Sequence, residues 1–197
     1  DKEVYQLKNE PKPRLFLITV IDSDDEIIGK RCEKDLEKIT ETFNQLTLWL
    51  DIATGVQKII KGNEFSKASV NEAIDIWLKS QEPNKSDIVV FYYSGHGFRF
   101  ANDESIYPRM WLKTSTDKAV NTNNLSMEED VYDRIVKMGA GVNIVLSDCC
   151  NSVPGVTPSF AESAMMAEKE NAINQERLEE YIKDFDKLFM PDLPLSI

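Results

Sequence analysis

Two nearly unbroken apolar runs constrain this chain more than anything else in it: residues 15–21 (Leu-Phe-Leu-Ile-Thr-Val-Ile) and 88–93 (Ile-Val-Val-Phe-Tyr-Tyr). A strand with one wet face alternates apolar and polar residues. A continuous run belongs to a strand covered on both faces, as in a parallel sheet between helices. The intervening segments carry helical patterns. Leu36, Ile39 and Phe43 share one face of a helix expected over about 32–44. Ser69 and Glu72 have capping-box spacing and open a helix with Val70, Ala73, Ile74, Trp77 and Leu78 on its apolar face. Ser126 and Glu129 form a second such box; its helix, to about Met138, aligns Val131, Ile135 and Met138 and is ended by Gly139 and Gly141. Further strands are expected at 46–52, near 110–113 and at 142–147, while 56–60 reads as either a short strand or a loop. The alternation predicts an α/β protein, a three-layer α/β/α sandwich around a mainly parallel sheet.

Ligands of such sheets bind beyond the carboxyl ends of the strands, and two clusters of reactive residues fall there. The run 88–93 stops at Ser94-Gly95-His96-Gly97, which holds the only histidine of the 197 residues. The strand at 142–147 stops at Asp148-Cys149-Cys150-Asn151-Ser152. A cysteine attacks as its thiolate, and a nearby imidazole favours that form or passes the proton to a leaving amine. The helix between the two strands is a suitable crossover to bring His96 and a cysteine to one sheet edge. The backbone N–H groups of Gly97 and of the nucleophilic cysteine could then face a developing oxyanion. Cys32, Cys149 and Cys150 are odd in number, two are adjacent, and no Cys-x-x-Cys pair exists. That pattern disfavours a disulfide framework and a metal site, and favours a free reactive thiol.

A net charge of −11 argues against nucleic acid as a partner, because phosphate binding needs a basic surface. No apolar run approaches the roughly 20 residues that span a bilayer, so no membrane segment is expected. No glycine-rich phosphate loop follows the first strand, which removes the support for a flavodoxin-like nucleotide-binding domain. Free thiols suit a cytoplasmic protein and a secreted or cell-envelope enzyme with one nucleophilic cysteine alike.

The motifs Tyr93-Ser94-Gly95-His96-Gly97 and Leu146-Ser147-Asp148-Cys149-Cys150-Asn151-Ser152 resemble the two catalytic motifs of the caspase-like cysteine peptidases, and most closely those of metacaspases and bacterial caspase-family proteins. The resemblance covers roughly residues 14–152 and is specific at the motifs. Residues 148–152 fall in order on the metacaspase form Asp-Ser-Cys-His-Ser. Cys150 then takes the place of the nucleophile, Cys149 that of the serine and Asn151 that of the second histidine. The resemblance implies a caspase–haemoglobinase fold and peptide cleavage through a thioester, with His96 protonating the leaving amine. It also implies an acidic pocket, built from Asp148, Ser94 and the pair Cys32 and Asp35, that takes an arginine or lysine of a peptide or protein substrate. Carboxylates in a narrow cleft suit such a cation.

The same resemblance divides the chain into an arm (1–13), a catalytic core (14–152) and a processing region (153–197). The last carries an amphipathic helix at about 168–189 and the start of a further strand. It leaves two readings of the chain open, the large-subunit part of a cleaved domain whose remaining strands a second chain carries, or a truncated piece of that domain, and it makes Lys169, Arg177 and Lys183 candidate self-cleavage points. No cofactor is expected, with a calcium site at Asp103, Glu104 and Asp117 as the exception considered. The competing reading is a caspase-like scaffold that binds without turnover.

Overall fold

The computed structural model describes residues 12–113, 119 and 122–151. Strand β1 (Arg14–Ile21) leads through an acidic loop into helix α1 (Gly29–Trp49), then β2 (Thr54–Lys61) and a single tight turn at Gly62–Glu64. Helix α2 (Lys67–Glu72) continues in wider turns over Ala73–Leu78 and is followed by β3 (Ile88–Ser94). Three short strands come next: β4 (Gly97–Phe98), β5 (Arg109–Trp111) and β6 (Asn124–Ser126). Wide turns over Met127–Tyr132 run into α3 (Asp133–Val136), and β7 (Val142–Asp148) closes the described chain.

The main sheet has the order β2-β1-β3-β7 with every pair parallel; β4, β5 and β6 form a small antiparallel sheet. The two apolar runs are its central strands, β1 and β3, as expected for strands covered on both faces. Phe16, Ile18 and Val20 of β1 pack with Val89, Phe91 and Tyr93 of β3 against Val70, Ile74 and Leu78 of the α2 segment and Val131 and Ile135. On the other face Leu15, Leu17 and Val90 meet Phe43 of α1. This burial is the main source of stability, at about 1.5–3 kcal/mol per large apolar side chain.

The expected strand at 46–52 is not one. Helix α1 runs on to Trp49, because Leu46 continues the spacing of Ile39 and Phe43 and packs on Leu15 and Leu17. Leu48 and Trp49, which suggested a strand, are exposed. The second strand lies instead in the ambiguous segment: β2 pairs with β1 through Phe16↔Val56 and Val20↔Ile60. The cap of α2 is also displaced one turn, to Ser66, whose hydroxyl accepts from the Ser69 N–H at 3.2 Å. At Ser126 the cap is as expected, accepting from the Glu129 N–H at 3.2 Å. The returning bond goes from the Ser126 N–H to Asp130 at 2.8 Å rather than to Glu129.

At the amino end of the sheet, buried Asp87 locks β1 to the turn before β3. Its carboxylate accepts from the Arg14 N–H (2.9 Å), the Arg14 guanidinium (2.6 Å) and the Asn84 N–H (2.8 Å). The carboxyl ends of β1, β3 and β7 are left to form the site.

Candidate active site

Register places the first set of site residues. Parallel pairing aligns Ser94, the last residue of β3, with Asp148, the last of β7. Helix α1 contributes Cys32 and Asp35, one turn apart and so on one helix face. The Ser94 hydroxyl donates to Asp35 at 2.9 Å. All four residues line one cleft of about 310 Å³, whose wall also includes His96, Cys149 and Cys150. The cleft holds the carboxylates of Asp35 and Asp148. Burial and the carboxylates of Asp35 and Asp148 push the Tyr92 hydroxyl up to about 12. Burial, aided by Asp22, Asp35 and Asp148, also raises the Cys32 thiol. Arg31 lines the cleft as well, whereas Arg14 is bound to Asp87 at the opposite end of the sheet.

His96 sits on a backbone pinned from two sides. Its carbonyl accepts from the buried Tyr93 hydroxyl (2.6 Å) and from the Trp111 N–H (2.9 Å). The second bond makes Gly97 and Met110 a non-hydrogen-bonded pair of the β4–β5 ladder, so that ladder leaves the Gly97 N–H unused. Both glycines beside the histidine are required by space. A side chain at Gly95 would meet the Tyr93 hydroxyl at 2.6 Å, and one at Gly97 would overlap the Cys149 side chain and the Cys150 carbonyl. The histidine loop and the cysteine loop are therefore in direct contact through Gly97.

The two cysteines differ. Cys149 packs against the main core, and burial pushes its thiol up to about 11. Cys150 is exposed at the cleft. Asn151 turns away and donates to the Ile106 carbonyl at 3.1 Å.

Two residues of this site were not identified from the sequence. Asp25, in the loop before α1, is nearly buried and holds its Oδ2 at 3.1 Å from His96 Nε2. The same oxygen accepts from the Lys113 ammonium, which lies beside Trp111, as His96 does. Burial alone would raise the Asp25 carboxyl. The Lys113 ammonium, the Ile28 and Ile27 N–H groups and His96 outweigh it and hold the group well below the usual carboxylate range. Asp22 stands beside them, buried, with its pKa raised by that burial and Oδ2 without a partner among the described residues. Ligand atoms of Asp22, Asp25 and His96 lie within 4.8 Å of one another, a spacing that could hold a metal ion. The Lys113 ammonium already supplies a positive charge at Asp25.

The remaining expectations fall elsewhere. Asp103 is paired with Arg109 at 3.1 Å and accepts the Phe100 N–H at 2.8 Å. Asp117, Lys169, Arg177, Lys183, the helix at 168–189 and the further strand lie outside the described residues. No helix among the described residues is long and apolar enough to cross a membrane.

An α/β domain with an imidazole and a free thiol in one cleft at the carboxyl edge of a parallel sheet has the layout of a hydrolase that works through a nucleophile. The profile of the caspase domain family matches residues 29–185, and the chain belongs to that family, which is one of cysteine peptidases. No curated protein matches the chain.

Proposed function

We propose that the protein is a cysteine endopeptidase of the metacaspase type that cleaves after arginine or lysine, with Cys150 as nucleophile and His96 as its acid–base partner. The observation that carries this reading is the single cleft in which Asp35, Ser94 and Asp148 stand next to His96 and Cys150. A substrate guanidinium or ammonium pairs there with Asp35 and Asp148, which positions the next peptide bond at Cys150. The Cys150 thiolate attacks the carbonyl carbon, and the oxyanion is met by the N–H groups of Gly97 and Cys150. His96 gives a proton to the leaving amine, a thioester remains, and water activated by His96 hydrolyses it. Cys149 is the weaker candidate for the nucleophile, because a thiol with its pKa pushed up to about 11 holds little thiolate near neutral pH.

Two extensions go with this reading. Among the described residues β7 is the last strand of the sheet, with a free pairing edge, and one of its faces leaves Val142, Ile144 and Leu146 exposed, as on a strand that a further segment would pair with and cover. A second chain carrying the rest of the domain is the partner proposed for it. Self-cleavage at Lys169, Arg177 or Lys183 would activate the enzyme, and amino-terminal sequencing of any clipped product identifies the site.

The test is cleavage of fluorogenic peptides ending in arginine, lysine or aspartate. Arginine and lysine peptides are expected to be cleaved. Asp35→Ala and Asp148→Ala are each expected to lower kcat/KM for them by about 10–100-fold, the worth of a lost charged hydrogen bond. Preference for aspartate would refute the acidic-pocket assignment and point to Arg31. Absence of any cleavage or probe labelling favours the scaffold reading.

A further inference from the structure

We propose that Asp25 is a positioning residue for His96, holding the ring in the tautomer that presents a bare Nδ1 to the nucleophile. This deepens the function proposed above and rests on the pairing of His96 with Cys150.

The argument starts from what each oxygen of Asp25 can do. Oδ1 accepts the Ile27 N–H at 2.8 Å and the Ile28 N–H at 2.9 Å, so the carboxylate is anchored by the backbone that starts α1. Oδ2 is thereby aimed at His96 Nε2, 3.1 Å away. An ionised carboxylate only accepts hydrogen bonds. The nitrogen facing it must therefore carry the hydrogen, and the neutral ring is left with its lone pair on Nδ1. The Lys113 ammonium on the same oxygen keeps Asp25 ionised. It also withdraws charge from that oxygen, so the proton stays on the imidazole and does not move to Asp25. The arrangement is sheltered: the Asp25 side chain is 7% exposed and that of Lys113 19%. With the His96 carbonyl held by Tyr93 and Trp111, the ring is fixed at both its backbone and its far nitrogen.

Asp25→Asn discriminates this role from simple support. The backbone N–H groups of Ile27 and Ile28 require an oxygen, so the one amide oxygen stays with them and the NH₂ group turns to Nε2. A donor there forces the hydrogen onto Nδ1, the wrong nitrogen for a proton acceptor at Cys150. The equivalent aspartate-to-asparagine change in a serine peptidase triad costs about 10⁴ in kcat by this mechanism.

His96 is the only histidine, so protein labelled with ¹⁵N-histidine gives a single imidazole spectrum. In wild type at alkaline pH the Nε2–H tautomer is expected. In Asp25→Asn the Nδ1–H form is expected, with kcat lowered by about 10²–10⁴-fold, KM changed only a few-fold and slower alkylation of Cys150. A wild-type ring already in the Nδ1–H form overturns the proposal, and this needs no variant to fold. So does an Asp25→Asn protein that keeps its tautomer, whatever its activity, since Asp25 would then act only as support. If Cys150→Ala still cleaves peptides, the assignment of Cys150 as nucleophile fails separately, while the tautomer still reports on Asp25.

Discussion

Gly97→Ala probes the contact that joins the two halves of the proposed catalytic pair. The added methyl carbon would stand 2.5 Å from Cys149 Sγ and 2.9 Å from Cys149 Cβ, and would overlap the Cys150 carbonyl. Relaxed carbon contacts lie at about 3.5–4.0 Å, so roughly 1 Å of separation has to be found. The histidine side cannot easily yield it, because the His96 carbonyl is tied to Tyr93 and Trp111. Cys149 is held by its packing on the core, and the displacement falls mainly on Cys150. Overpacking of this kind costs about 1–3 kcal/mol. In a chain of this length that lowers Tm by roughly 2–4 °C per kcal/mol. Misplacing a reacting group by about 1 Å costs about 10²-fold in rate. The expected result is a modest loss of Tm and a drop of about 100-fold in kcat/KM on arginine peptides. Gly139→Ala is the control. Gly139 has φ 97°, so alanine there strains the backbone, but far from the cleft, and Tm should fall without loss of activity. Full activity in Gly97→Ala would refute the packing of the histidine loop on the cysteine loop.

Asp87→Ala should be the more damaging change to stability. It leaves the Arg14 and Asn84 N–H groups without their acceptor and the Arg14 guanidinium with only the Gln81 and Glu82 carbonyls, at about 2–4 kcal/mol given that Arg14 is partly solvated. Burial pushes the Asp87 carboxyl up, but Arg14 and the Asn84 N–H outweigh it and its pKa is lowered in the fold. The contribution is thus fully present above the unfolded carboxyl value of about 4 and is lost as pH falls through the lower folded value. Urea melts of wild type and variant should converge in strong acid. Cys149→Ala should keep kcat/KM within about threefold, because the proposed mechanism gives the partly buried Cys149 thiol no part in attack; a loss of 100-fold or more would move the nucleophile to Cys149.

What the sequence revealed, and what it hid, follow from the range of the interactions. Residues 15–21 and 88–93 announce buried central strands because coverage on both faces leaves an unbroken apolar run. β2 was obscured because it lies at the edge of the sheet among the described residues: only Ile60 is buried, Ile59 is exposed, and Gln57 and Lys58 interrupt the apolar run. Leu48, Trp49 and Leu50 imitate a strand locally, and tertiary packing of Leu46 decided for helix. Ser94, Asp148, Cys32 and Asp35 could be placed through motif resemblance, and parallel register then brings Ser94 and Asp148 side by side. Asp25 and Lys113 had no such signal. Asp25 is one of several acidic residues in its loop, and its partners are 71 and 88 positions away. Only the fold selects it from Asp22, Asp24 and Glu26.

The central claim is that Cys150, and not Cys149, attacks substrate with the help of His96. Mass spectrometry of the protein after brief treatment with an arginyl chloromethyl ketone, in wild type and in His96→Ala, tests it most directly. The account predicts one adduct on the peptide holding both cysteines, placed on Cys150 by fragmentation and slowed at least 100-fold in His96→Ala. An adduct on Cys149, or equal labelling without His96, would contradict it.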